Sequence, residues 1–314
     1  MPRLDVCVVG EINPDLILYG LPQELTPERE ELISGIRLTL GSSAAIFAHN
    51  LAALGTRVGI ISKVGKDAFG KISLGWLEEA GVDVSRVSSS GITPTGATVI
   101  LANPGHRYIL TYPGTMFELC YEDLDLDNIY SARHLHVASY FLHRALRPRI
   151  ADLFRSAKEK GLSTSLDTND DPADEWGDDL TRALPFVDLI FPNEREALKI
   201  SRAENLDQAA RKLSQVCGAV VIKRGDQGAL ARKKEEEFRC EPLSVDVKDA
   251  VGAGDSFDAG YIHRFLKGAS MQECLDYANL AGAYSTTREG GIEAFRDRDG
   301  IRLFFEERLN DQSK

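Results

Sequence analysis

Several features that would define other classes of protein are missing or scarce in this sequence of 314 residues. No stretch stays apolar over the roughly 20 residues that a transmembrane helix needs, so we expect no membrane-spanning segment. Acidic residues outnumber basic ones by 48 to 37, and the net charge of -11 argues against general binding to nucleic acid or to anionic membranes. The order Gly-x-x-x-x-Gly-Lys-Ser/Thr is also absent, which excludes a P-loop.

Cysteine is sparse as well. The five cysteines, at positions 7, 120, 217, 240 and 274, are scattered and form no Cys-x-x-Cys pair. This pattern favours reduced thiols in the cytoplasm over a disulfide framework. His134 and His136 alternate along one predicted strand, and with no third ligand nearby we expect them to be packed or hydrogen-bonded rather than metal-bound.

The order of apolar segments predicts an α/β fold. Short β-branched runs alternate with longer runs of helical period, which is typical of a largely parallel sheet with helices on its faces. The predicted strands are residues 4–9, 58–61, 134–138, 163–166, 189–191 and 219–222. The predicted helices are residues 43–54, 68–79, 148–160, 206–215, 255–266 and 271–287. Because no repeat or linker divides the chain, we expect one domain over residues 1–314.

Two regions break this alternation because no helix separates their predicted strands. Residues 31–40 and 97–112 have the pattern of strands with turns, the second as a hairpin around Asn103-Pro104-Gly105. With residues 16–19 they predict a small β-lid over the sheet edge, built from segments at approximately 12–40 and 95–115. A lid edge that pairs with its counterpart in a second copy would give a homodimer.

The most informative stretch is residues 249–260, Asp-Ala-Val-Gly-Ala-Gly-Asp-Ser-Phe-Asp-Ala-Gly. Gly252 and Gly254 let peptide N–H groups approach a ligand closely, and the helix that starts here offers unpaired N–H groups and roughly half a positive charge. Such a site suits phosphate. Asp255 beside it fits a base that removes a proton from the attacking group; the alternative is an ordinary acid in a first helical turn. The stretch favours phosphoryl transfer to a hydroxyl.

Residues 10–15, Gly-Glu-Ile-Asn-Pro-Asp, follow the first predicted strand. Asn13 and Asp15 therefore come just past the carboxyl end of a strand, where open α/β sheets bind their ligands. A carboxylate can accept two sugar hydroxyls, and an amide can donate and accept. The alternative is a solvated turn, since Asn-Pro-Asp is rich in turn formers.

Six motifs along nearly the whole chain together resemble those of the ribokinase-like (PfkB) family of carbohydrate kinases. They lie in order at residues 10–15, 41–55, 167–176, 193–196, 223–228 and 249–260. The resemblance implies a three-layer α/β/α sandwich with a mostly parallel central sheet and a small β-sheet lid. It also implies transfer of the γ-phosphoryl group of ATP to a hydroxyl of a sugar or sugar-like molecule. A nucleoside kinase of the same fold and a catalytically silent binding or scaffold protein remain as alternatives.

The resemblance also implies what individual residues do. Asp255 would be the base, and the N–H groups of Gly252, Ala253 and Gly254 would stabilise the transferred phosphoryl group. The residues implied to surround the acceptor are Asn13, Asp15, Gly41 and Ser42. Those implied to contact the nucleotide or its phosphates are Asn193, Lys223, Gly225, Gly228 and Asn279. Asn193 and Glu196, expected on one helix face, would order Mg²⁺ largely through water.

Many members of the family hold a monovalent cation beside the phosphate site, which makes K⁺ a candidate cofactor. Its ligands would be Asp249 and backbone carbonyls, for which spacing indicates Val251, Ser285, Arg288 and Gly290.

The chain departs from the family pattern at two positions of the second motif. Ser42 stands where a second glycine is usual, and Ile46 stands where an asparagine usually contacts the substrate. We therefore expect an acceptor that differs from a ribokinase-like polyol or is less polar.

Overall fold

The computed structural model describes residues 4–22, 24–103 and 106–311. Within these ranges the strands are β1 (Val6–Val9), β2 (Pro14–Tyr19), β3 (Gly35–Leu40), β4 (Val58–Gly65), β5 (Asp83–Ser90), β6 (Ala97–Asn103), β7 (His106–Tyr112), β8 (His134–Val137), β9 (Ser163–Leu166), β10 (Leu189–Ile190), β11 (Ala219–Lys223), β12 (Ala229–Lys233) and β13 (Glu236–Cys240). The predicted hairpin turn at Pro104 and Gly105 lies outside the described residues.

The α-helices of the same ranges are α1 (Ser43–Ala53), α2 (Ala68–Ala80), α3 (Leu126–Ser131), α4 (Ile150–Glu159), α5 (Asp178–Ala183), α6 (Glu194–Ser201), α7 (Leu206–Val216), α8 (Ala253–Phe265), α9 (Met271–Ser285) and α10 (Arg298–Asp311). None of them is both long and apolar enough to cross a membrane.

Nine strands form the main sheet, in the order β13-β12-β11-β10-β9-β8-β1-β4-β5. All neighbouring strands from β11 to β5 run parallel, and only β12 and β13 at one edge are antiparallel. Side chains of β1 point alternately into two cores: Cys7 and Val9 pack with α4 and α7, whereas Val6 and Val8 pack with α1 and α8. A parallel sheet covered on both faces explains why β1 is apolar throughout. The predicted three-layer arrangement is confirmed.

The smaller sheet has the order β3-β2-β6-β7, with β2 and β6 parallel and the two outer strands antiparallel to them. We call this sheet the lid. On its inner face Ile17 and Ile100 pack against Val251, and Asp15 lies beside Thr98 in the strand register. Side chains therefore alternate along each strand between an inner face, which meets Val251 in the segment before α8, and the opposite, outer face.

The two histidines of β8 are structural. Both ring nitrogens of His134 lie 2.7 Å from serine hydroxyls, those of Ser163 and Ser165. His136 also bonds to Ser165 and stacks on Phe47, with ring centroids 3.8 Å apart. Burial lowers the pKa of each histidine to about 3, so both are neutral. The prediction that they are packed or hydrogen-bonded is confirmed.

Candidate active site

The first turn of α8 forms the centre of the site. The helix begins at Ala253, two residues earlier than predicted, so Gly252 is the N-cap and Asp255 lies in the first turn. Gly252 has φ +71°, and a Cβ there would lie 2.7 Å from the Cα of Gly291. Ala253 makes one long N–H bond of 3.4 Å to the carbonyl of Ala250. Within the described chain, the N–H groups of Gly254 and Asp255 have no acceptor, which leaves them available to an anion.

The surroundings of Asp255 give its carboxyl a pKa that suits proton transfer near neutral pH. Burial raises its pKa to about 7, and the charge of Asp167 adds to this, while Lys223 and the Ser43 hydroxyl act in the opposite direction. The residue nevertheless keeps partial exposure to solvent. A carboxyl with such a pKa exchanges its proton readily at physiological pH.

Lys223 lies at the end of β11 and forms ion pairs with two acids, Asp167 and Asp258. Its Nζ is 2.9 Å from Asp167 Oδ2 and 3.2 Å from Asp258 Oδ2. Burial acts to raise the pKa of Asp167, but the Lys223 charge holds it below its ordinary value, whereas burial raises the pKa of Asp258. A Cβ on Gly254 would lie only 3.4 Å from this ammonium group. Lys223 thus lies beside the N–H groups of α8 while its charge is already shared by buried carboxylates.

A cavity of about 600 Å³ opens on one side of the α8 N-terminus. Its walls include Lys223, Gly225, Gly228 and Asn279, so four of the residues implied to contact the nucleotide meet in one place. Gly228 has φ +78°, and a Cβ there would lie 2.0 Å from the carbonyl oxygen of Cys240. The side chain of Asn279 donates to the carbonyl of Glu241 over 2.7 Å. The volume is within the range of small-molecule sites.

Asn193 and Glu196 bond to each other. Asn193 is the N-cap of α6; its Oδ1 accepts from the N–H of Glu196, and Glu196 Oε2 accepts from the N–H of Asn193, both at 2.9 Å. The two side chains therefore lie on the same side of the helix start, although Asn193 itself precedes the helix and forms a capping box with Glu196. Burial, reinforced by the charge of Asp167, raises the pKa of Glu196 to about 7.

On the other side of Asp255, Asp15 belongs to β2 of the lid and is buried, with 5% of its surface exposed. Burial, and then the charge of Asp255, raise its pKa to about 7. The carbonyl of Asn13 accepts the N–H of Gly41 over 2.9 Å. The structure thus brings Asn13, Asp15 and Gly41 together at the end predicted for the acceptor.

Ser42 and Ile46, the two departures from the family pattern, have distinct structural consequences. Ser42 adopts φ +61°, which is unusual for a residue with a side chain, and its hydroxyl donates to the carbonyl of Glu11 over 2.9 Å. Ile46 is 3% exposed. Its side chain fills the space above Gly252 and Gly291, where an added Cβ would approach it to 3.1 Å and 2.5 Å respectively.

A polar network that sequence reasoning missed lies beneath the acceptor end. Glu11 Oε1 accepts from the Ser139 hydroxyl at 2.7 Å, and Glu11 Oε2 lies 3.0 Å from His143 Nε2. The amide of Asn169 donates to the hydroxyls of Ser43 and Ser139 over 2.6 Å and 2.8 Å. From the sequence, Glu11 and Asn169 each lie in one of the six motifs, at residues 10–15 and 167–176, but nothing there linked them to Ser139 or His143.

Comparison with known proteins decides the family. The sequence profile described as pfkB family carbohydrate kinase matches residues 3–298. The chain belongs to this family. It is 31% identical to the ATP-dependent ribose-1-phosphate kinase of Halopiger xanaduensis, over 97% of this chain and 99% of that protein. It is 30% identical to the 2-dehydro-3-deoxygluconokinase of Bacillus subtilis, over 84% of this chain and 86% of that one.

Solved structures agree. A protein from E. coli assigned as ribokinase II, in complex with ATP and Mg²⁺, superposes with a TM-score of 0.85 at 26% identity, covering 97% of this chain and 99% of that one. The fold of this chain is therefore the ribokinase-like sandwich that the motifs implied. As a PfkB carbohydrate kinase, the chain is a phosphotransferase that acts on a hydroxyl.

The segment around Asp249 is where the PfkB resemblance placed a monovalent cation. Asp249 Oδ2 accepts from the N–H of Gly290 and the hydroxyl of Tyr19, at 3.0 Å and 3.1 Å, and its Oδ1 accepts from the N–H of Val251 at 3.0 Å. Ser285 is buried and its hydroxyl has no hydrogen-bond partner in the described chain. Arg288 directs its guanidinium to Asp297. Asp249 thus ties the lid to both segments that could supply carbonyl ligands.

Proposed function

We propose that this PfkB kinase transfers the γ-phosphoryl group of ATP to a hydroxyl of a sugar or sugar-like acceptor. One observation carries the proposal: Asp255, with a pKa of about 7, lies in the first turn of α8 between a cavity of about 600 Å³ and the buried Asp15. The ATP bound in the similar E. coli structure and the sugar-derived acceptors named for the relatives support the two substrates.

The chemistry follows from this placement. Asp255 removes the proton of the acceptor hydroxyl as that oxygen attacks, a contribution of about 10²–10⁴-fold for a well-placed base. The N–H groups of Gly254 and Asp255, which have no acceptor in the described chain, stabilise the charge that develops on the phosphoryl group, with those of Gly252 and Ala253 beside them. Asp15, Asn13, Gly41 and Ser42 orient the acceptor, and the lid excludes water that would otherwise hydrolyse ATP.

The residues present fit a magnesium ion held mostly by water and phosphate oxygens. In the described ranges no three His, Cys, Asp or Glu side chains converge as metal ligands, whereas one carboxylate with waters and substrate oxygens suits Mg²⁺. Glu196 and Asn193 would hold it through water. When bound, the ion neutralises charge on the nucleotide phosphates.

Asp249 and the backbone carbonyls of Val251, Ser285, Arg288 and Gly290 remain the proposed K⁺ ligands. Comparison of turnover in K⁺ and in Na⁺ tests it.

The outer face of the lid supports a homodimer. Several large apolar side chains lie exposed there: Ile36 (66%), Leu38 (40%), Leu110 (57%) and Tyr112 (53%). An identical face on a second copy is chemically matched to this one, and a twofold arrangement would bury both. We therefore propose a dimer in which two lids pack outer face to outer face.

A coupled assay for ADP tests the proposed reaction on a panel of sugars, sugar phosphates, sugar acids and nucleosides. We expect Asp255→Asn to retain nucleotide binding and to lose roughly 10²-fold or more in turnover. Asp299→Asn, an exposed acid on α10, is the matched control and should behave as wild type. Near-wild-type turnover by Asp255→Asn would show that Asp255 is not the base. If nucleosides are turned over faster than every sugar, the acceptor is a nucleoside rather than a sugar.

A further inference from the structure

A second cavity, of about 740 Å³, lies apart from the nucleotide cavity and shares none of its lining residues. Three segments form it: the turn after β7, the loop after β8, and the loop after β9 that continues into α5. Three arginines line it, Arg144, Arg147 and Arg182. We call this cavity the arginine pocket.

The charge of the arginine pocket is only partly neutralised. Arg147 pairs with Asp179, with Nε and Oδ2 2.7 Å apart. Arg144 and Arg182 are exposed, and no carboxylate of the described residues pairs with either. The other acid of the lining, Asp171, accepts three backbone N–H bonds of 2.8 to 3.0 Å from its own loop. Two guanidinium groups thus remain available in a protein whose net charge is -11.

Two aromatic rings complete the lining. The guanidinium of Arg144 lies over Phe117, 4.4 Å from the ring centroid. Phe141 packs edge-on against Trp176, with centroids 5.1 Å apart, which fixes the orientation of its ring. A guanidinium that stacks on a ring keeps its N–H edge free for an anion. The arginine pocket therefore combines anion donors with an apolar surface.

We propose that the arginine pocket binds a small organic anion, whose phosphate or carboxylate is held by Arg144 and Arg182 and whose apolar part packs on Phe117 and Phe141. Forked guanidinium groups match both kinds of anion.

The loops of the pocket also reach the acceptor end. His143, next to Arg144, pairs with Glu11, and Asn169 bonds to Ser43 and Ser139. The anion can therefore come from two sources, a remote group of the acceptor itself or a separate metabolite.

Binding is tested with phenyl phosphate and inorganic phosphate by calorimetry, in the presence of Mg²⁺ and a saturating non-hydrolysable ATP analogue that fills the nucleotide cavity. We expect the double variant Arg144→Gln/Arg182→Gln to bind phenyl phosphate more weakly by roughly tenfold or more, because two charged hydrogen-bond donors are lost. Arg29→Gln/Arg302→Gln, which removes two exposed charges elsewhere, should bind like wild type. Inorganic phosphate should bind more weakly than phenyl phosphate.

Absence of binding to wild type, or equal binding by wild type and the Arg144→Gln/Arg182→Gln variant, would overturn the proposal. Since all four arginines are exposed, melting temperatures should match and show that folding is intact.

Kinetics then separate the two sources. If the anion belongs to the acceptor, the double variant raises KM for a phosphorylated sugar by about tenfold or more and leaves KM for the unphosphorylated sugar unchanged. If it is a separate metabolite, both KM values stay unchanged and phenyl phosphate alters turnover of the wild type only. The kinetic comparison rests on the proposed function, whereas calorimetry measures binding alone. Failure of the proposed function is therefore distinguishable from failure of the arginine pocket to bind an anion.

Discussion

A Cβ atom on residue 41 would lie 1.9 Å from Oδ1 of Asp15, so Gly41 is what allows the Asp15 carboxylate to occupy its place. No small rotation relieves the contact, because the carboxyl carbon of Asp15 would also lie only 2.2 Å away. The acceptor end therefore depends on a glycine that need not contact the acceptor itself.

Gly41→Ala should displace Asp15 and raise KM for the acceptor by roughly tenfold or more, while nucleotide affinity stays unchanged. Steady-state kinetics and nucleotide titration measure the two effects. The control is Gly75→Ala in α2, where an added Cβ meets nothing within 4 Å. An unchanged acceptor KM in Gly41→Ala would show that Asp15 does not bind the acceptor.

The activity should depend on pH through Asp255. Its pKa of about 7 means that kcat/KM for the acceptor falls as pH drops below about 7, since a protonated carboxyl cannot remove a proton. Because the pKa of Asp15, on the acceptor side, is also about 7, we expect an acid limb with a slope between one and two in the profile of the wild type. A flat profile between about pH 5.5 and 8 would contradict Asp255 as the base.

The same pKa predicts an effect on stability of opposite sign to that of an ordinary ion pair. The pKa of Asp255 is raised from 3.8 to about 7 in the folded chain. The carboxyl therefore contributes stability below its unfolded pKa, and this contribution is lost as pH rises through about 7. Asp255→Asn mimics the protonated carboxyl. Its melting temperature without ligands should exceed that of wild type by a few degrees at pH 8 and match it near pH 4. A difference independent of pH would contradict this.

Lys223 should be essential for stability as well as for activity. Lys223→Met leaves Asp167 and Asp258, both at most 2% exposed, without their cation, which should lower the free energy of unfolding by about 3–5 kcal/mol. Adding Asp167→Asn should recover part of the loss. Urea denaturation provides the measurement. Lys199→Met, which breaks an exposed pair with Asp174, serves as the control and should cost no more than about 1 kcal/mol.

The dimer is tested with a charge on the outer face of the lid. Leu110→Glu should convert a dimer to a monomer, because it buries a carboxylate in an apolar contact, and light scattering after size-exclusion chromatography reports the mass. Ile92→Glu is the matched control, since Ile92 is 96% exposed but lies outside the lid. A wild-type monomer at all concentrations, or a dimer that survives Leu110→Glu, would overturn the proposed interface.

Elements with strong periodicity could be predicted from the sequence, and elements without it could not. The runs at β1 and β11 are short, apolar and rich in β-branched residues, as buried parallel strands require. Asp83–Ser90 escaped prediction because this edge strand is mostly serine, aspartate and arginine and is only partly buried. Arg298–Asp311 escaped because polar and charged residues dominate that helix.

The residues of the candidate site also divide into those that the sequence could predict and those that it could not. The residues of α8 and of the segment before Asp15 follow one another in the chain, so their pattern was visible. The network of Glu11, His143 and Asn169 is assembled from loops after three different strands. No spacing in the sequence links these residues. Only the common edge at which parallel strands end brings them together.

All four strands of the lid come from two stretches of chain, one between β1 and α1 and one after β5. The nucleotide cavity and the N-terminus of α8 draw on neither. Acceptor preference can therefore change through exchange of these two stretches while the residues for phosphoryl transfer stay the same. The lid is thus the natural unit to exchange when chimeric kinases are built.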